Sequence, residues 1–122
     1  RILGFVNAPA IWQRVIARSM DVDIAAAVQT YKERRDLLHS ILEGCGFSCP
    51  KPQGAFYLLL PVPGGDDAAF ADVCAKEQVL VVPGTAFGAP GHVRIAYCVS
   101  KETIQGSAAA FRKIAQVYNL TD

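Results

Sequence analysis

Three apolar runs too short for helices constrain this chain most: FYLLLPV at 56–62, VLVVPG at 79–84 and HVRIAYC at 92–98. Each is bounded by glycine or proline, and each is rich in the branched and aromatic side chains that suit a pleated surface. The first has the length and flanks of a buried strand. A shorter stretch, Phe47 to Cys49, also reads as a strand before the prolines at 50 and 52.

The segments between them carry the other periodicity. Proline at position 9 opens a helix that ends near Asp21, with Ile11, Val15 and Ile16 along one side. A longer helix is predicted from about Asp23 to Glu43. Ile24, Val28, Tyr31, Arg35, Leu38 and Leu42 recur along it at steps of four and three, and Gly44 and Gly46 stop it. Arg35 falls in that seam, where an arginine commonly packs its stem and keeps its head in water. Asp66 caps a helix reaching about Lys76, with Ala69, Phe70, Val73 and Cys74 on one side. Ser100 caps a last helix with a stripe of Ile104, Ala108, Phe111, Ala115 and Tyr118. Helices divided by paired strands predict an α/β fold, an α+β two-layer sandwich. Its small mixed or antiparallel sheet of three to four strands is covered by helices on one side.

With 122 residues, 52% of them hydrophobic, the chain is long and apolar enough to bury one core, and nothing inside it marks a second domain. A net charge of +1 offers no field for nucleic acid. No run approaches the roughly 20 apolar residues of a bilayer span, and no leader pattern is present, so the expectation is a cytoplasmic protein without membrane contact. The chain begins at Arg1 within RILGFV rather than at a methionine, which reads as a piece of something longer.

Four cysteines, Cys45, Cys49, Cys74 and Cys98, have no zinc spacing and are read as small buried thiols. His39 and His92 have no evident catalytic partner. A phosphate loop is absent, and Gly84, Gly88 and Gly91 precede a strand rather than a helix, so they form no dinucleotide fingerprint. They suit either a loop folded against a pocket or a plain turn.

Arg94 poses the sharper question. Strand alternation puts Val93, Ile95 and Tyr97 on one face and Arg94, Ala96 and Cys98 on the other, leaving a guanidinium among small apolar neighbours. Solvent exposure, an ion pair within the chain and ligand binding all remain open at this point.

Four motifs in order narrow the choice: YKERRDLL at 31–38, KPQGAFY at 51–57, VPGTAFG at 82–88 and GHVRIA at 91–96. Together they resemble the carboxy-terminal small domain of class I/II aminotransferases, pyridoxal-phosphate enzymes of the aspartate aminotransferase superfamily. The opening GFVNAP and its helix are similar to the segment leading back from that family's large domain, which assigns 1–22 to the link and 1–122 to the small domain.

The resemblance implies that Arg94 grips the substrate α-carboxylate. Gly84, Phe87, Gly88 and Gly91 would line the substrate side of the cleft, with Gly54 and Phe56 near its wall and Asn7 close to the cofactor or the dimer interface. It implies pyridoxal 5'-phosphate in the full-length enzyme, an amino acid and a 2-oxo acid as substrates, the chain's own large domain as partner, and a homodimer. The lysine that holds the cofactor is expected upstream, so this chain alone is expected to be inactive and to bind no cofactor. A C–S lyase, a decarboxylase or a cyclopropane-carboxylate synthase would use a similar small domain. A free-standing carboxylate-binding domain is the reading from outside the enzymes.

Overall fold

The structure, a computed structural model, describes residues 8–120. Its elements run α1 (Ala10–Ala17), α2 (Ala25–Gly44), β1 (Tyr57–Pro61), α3 (Asp67–Lys76), β2 (Val82–Pro83), β3 (His92–Ala96) and α4 (Lys101–Val117), with 3-10 turns at Pro63–Gly65 and Gly84–Phe87. The three strands form one antiparallel sheet in the order β1-β3-β2. Leu59 of β1 and Val82 of β2 both pair with Arg94, so this arginine sits on the central strand.

Alternation along the strands separates two faces. Leu58, Leu60, Val93, Ile95 and Tyr97 are buried. They join Leu38 and Leu42 of α2, Phe70 and Cys74 of α3, and Ile104, Phe111, Ile114 and Ala115 of α4 in a single core. Tyr57 and Leu59 lie on the other face, so β1 is half-buried rather than the fully buried strand its apolar run predicts. Phe47 links two helices of the core, edge-on to Phe70 at 6.0 Å and to Phe111 at 6.3 Å.

Phe47 and Cys49 point inward as strand alternation predicts, yet residues 47–49 form no strand. The prolines that follow lack the N–H groups a ladder needs. The carbonyls of the stretch are taken by side chains of α2 instead: His39 Nε2 lies 2.9 Å from Cys49 O, and Arg35 Nη1 donates to Pro52 O at 3.2 Å. Lys51 adds an ion pair to Asp36 at 3.0 Å. Arg35, then Lys51, holds the Asp36 carboxyl down at about 2. Arg35 therefore does not send its head into water. Its side chain is 17% exposed, and Nε donates to Asp36 at 2.8 Å.

The strand predicted over 79–84 is shorter as well. The N–H of Val79 is consumed by Cys74 O at 2.9 Å in closing α3, and only Val82 and Pro83 reach β3. Leu80 is 87% exposed. In α2 only Leu38 and Leu42 of the predicted seam are buried, because the first turns extend beyond the core and leave Ile24, Val28 and Tyr31 exposed. Ile11, Val15 and Ile16 of α1 are exposed too. Asp66 and Ser100 cap α3 and α4 as predicted, accepting from the N–H groups of Ala69 and Thr103. Ala69, however, faces out.

Cys45, Cys49 and Cys74 are buried free thiols, whereas Cys98, beyond the end of β3, is exposed. Burial pushes the Cys49 thiol up to about 11 and that of Cys74 up to about 12, and raises Cys45 as well.

Candidate functional site

Arg94 leaves the central strand on the face opposite the core. Its guanidinium carbon lies 4.4 Å from the centroid of the Tyr57 ring and 4.8 Å from that of Phe87. Tyr57 reaches it from β1 as a diagonal cross-strand neighbour, two residues from Leu59, the direct partner of Arg94. Phe87 reaches it from the 3-10 turn that follows β2 on the other flank of β3. Cations are attracted to aromatic faces at such distances. Phe56 packs on Tyr57 with centroids 4.4 Å apart.

Among the described residues the ion pairs are Arg35–Asp36, Lys51–Asp36 and Lys113–Glu77, His39 Nδ1 lies 3.2 Å from Glu43 Oε2, and Arg94 belongs to none of these contacts. An arginine set against two rings keeps its fork of N–H donors.

The turn that brings Phe87 to this point is built on close approach. Gly84 is buried, and a Cβ there would collide with the Ala89 carbonyl oxygen and lie 2.7 Å from that of His92. Gly88 closes the turn in the left-handed region at φ 80°. Gly91 ends the loop, and its carbonyl accepts from Val62 N at 2.9 Å. Asp67 pins the turn from α3: its carboxylate accepts from Thr85 N at 2.7 Å and from Thr85 Oγ1 at 3.0 Å. The Thr85 N–H holds that buried carboxyl below the usual carboxylate range, against the opposing effect of desolvation.

On the β1 side, Tyr97 crosses to the segment before the strand. Its hydroxyl donates to Ala55 O at 2.8 Å and lies 3.3 Å from Gly54 O, and its N–H donates to Phe56 O at 3.0 Å. Ala55 is held at φ 60°, a conformation that side-chain-bearing residues seldom adopt.

Of the residues singled out in the sequence, Phe87 meets Arg94, while Gly84, Gly88 and Gly91 shape the loop that carries Phe87. Phe56 joins through Tyr57. Gly54 is exposed and serves through its carbonyl, and Asn7 lies outside the described residues. Tyr57, Tyr97 and Asp67 were not singled out. Their roles depend on the pairing of strands 30 or more residues apart and on a contact between α3 and the turn, neither of which leaves a local pattern.

All five lysines, Lys32, Lys51, Lys76, Lys101 and Lys113, are exposed, and two of them are engaged in ion pairs. None of the five is a buried, desolvated lysine of the kind that Schiff-base chemistry uses. Among the described residues, no group of His, Cys, Asp and Glu could hold a metal ion. No described helix is long and apolar enough to cross a membrane.

A two-layer α/β domain that presents an arginine between two aromatic rings on its open sheet face is the class of protein defined so far. The family model for aminotransferase class I and II matches residues 3–111, and the chain belongs to that family. Over 93 residues it is 38% identical to an aspartate aminotransferase of Thermotoga maritima, a match covering 75% of this chain and 24% of that protein. An LL-diaminopimelate aminotransferase of Moorella thermoacetica is 35% identical over 95 residues, with the same coverage of 75% and 24%. The crystal structure of an aminotransferase from Eubacterium rectale superposes with a TM-score of 0.83 at 41% identity, covering 95% of this chain and 29% of that one. The chain spans about a quarter of the length of these curated relatives.

Proposed function

We propose that this chain is the small domain of an amino-acid aminotransferase. In this reading Arg94 binds the α-carboxylate of the amino acid or 2-oxo acid, and the domain closes over the site. Residues 1–22 lead in from a large domain of the same polypeptide. The supporting observation is the guanidinium of Arg94, set between Tyr57 and Phe87 on the face the helices leave open and without a carboxylate of its own among the described residues.

The names of the relatives support the same choice. Aspartate and LL-diaminopimelate differ in their side chains and share an α-amino-acid end. A planar fork meets a carboxylate through two parallel charge-assisted hydrogen bonds, a geometry lysine cannot copy. Fixing the acid end also orients the Cα–H bond, and closure excludes water. Pyridoxal phosphate, held by the large domain, would supply the electron sink. The homodimer would form mainly through large domains, and the chain alone would not transaminate.

The test is a longer polypeptide carrying the upstream reading frame. It should develop the aldimine absorbance band with pyridoxal phosphate and transfer amino groups. Arg94→Lys should keep the band and lower kcat/KM about 10- to 100-fold, the worth of hydrogen bonds to a charged group. An unchanged kcat/KM in that variant would remove Arg94 from the site.

A further inference from the structure

Resting on the carboxylate reading of Arg94, we propose that Tyr57 and Phe87 are positioning residues, which together fix the guanidinium so that its free donor edge is set for a carboxylate before the ligand arrives. A long arginine side chain loses much rotamer freedom when it is pinned by a ligand. If that freedom is already spent in the free protein, the loss no longer counts against binding. Two rings at 4.4 and 4.8 Å, one from each flank of the central strand, restrict the head group from both sides.

The placement of the rings is not a by-product of core packing. Tyr57 is 37% and Phe87 42% exposed, and neither belongs to the buried cluster. What holds each of them is polar and lies behind it. Tyr97 donates to the carbonyls of Ala55 and Phe56 just before Tyr57, and Ala55 lies at φ 60°. Asp67 binds Thr85 twice, two residues before Phe87. Strained backbone persists where the surroundings over-determine it, and here both braces converge on the rings that touch one side chain.

The experiment uses this chain with its arginines labelled with 15N. The Nε–Hε signal of Arg94 is assigned by its loss in Arg94→Lys and titrated with L-aspartate at constant ionic strength against chloride. Ring currents should displace the signal in the free protein, and aspartate should move it saturably. Tyr57→Leu and Phe87→Leu should each take away part of the ring-current displacement and weaken the Kd about threefold, and together about tenfold, as expected for restoring freedom to one long side chain. Tyr57→Phe, which keeps the ring, should keep both the displacement and the affinity. Phe87 stands on a surface turn, so its variant gives a folded protein even if Tyr57→Leu disturbs the strand. A saturable response with the same Kd in Phe87→Leu and in the double variant would overturn the positioning role and leave Arg94 as the ligand. No response to aspartate in the unsubstituted chain would overturn the carboxylate reading, and the positioning role with it.

Discussion

At the scale of single residues, charge is managed in two ways on this molecule. Arg94 is left without a counter-charge among the described residues, while Asp67 is buried and satisfied by Thr85. The Asp67 carboxyl titrates below its ordinary value in the folded chain, so its ionised form favours the folded turn. That contribution is complete above the unfolded carboxylate value of about 3.9 and is lost as the pH falls through the lower folded one. The amide signal of Thr85 should therefore shift, and its hydrogen-exchange protection should fall, only below about pH 4. Asp67→Ala should abolish that titration and loosen the turn at neutral pH. Strand alternation alone placed Arg94 on the face away from Val93 and Ile95. It could not supply Tyr57, because the register of β1 on β3 is set by contacts between distant segments. Alternation also put Cys98 with Arg94 and Ala96, so a full set of buried thiols was already at odds with that pattern.

Among the elements, α4 and α1 make the sharpest contrast. The amphipathic stripe of α4 meets the core along Ile104, Phe111, Ile114 and Ala115, and its first turn is closed by Ser100. Ser100→Ala should cost about 1 kcal/mol of unfolding free energy and Phe111→Ala about 3–5 kcal/mol, both measurable by urea titration. The second is a large part of the 5–15 kcal/mol typical of a whole domain. Trp12→Ala in α1 should fall within about 0.5 kcal/mol, because Trp12 is 59% exposed. Helices with caps and stripes were legible as helices: α2, α3 and α4 lie within two residues of where their apolar steps, caps and glycines put them. Whether a stripe is buried was not legible, since Ile24 and Val28 follow the same steps as Leu38 and Leu42. Strand limits failed where backbone donors were missing or already used, after Cys49 and at Val79.

For the molecule as a whole, one core joins the inner sheet face to three helices, and the stretch from 49 to 52 is bound to α2 by side chains rather than by a ladder. The layered class was legible because both periodicities are present in order along the chain. The surroundings of Arg94 were not legible, since they come from β1, α3, β3 and the turn after β2. A water-soluble disulfide reagent should label Cys98 at once in the native chain. Cys45, Cys49 and Cys74 should wait for opening, and all four should react together in denaturant. The three hidden sulfurs sit at the end of α2, in the stretch bound to it, and in α3. Each is a stopwatch for its own neighbourhood: comparing their lag times would tell whether this fold loosens corner by corner or lets go all at once.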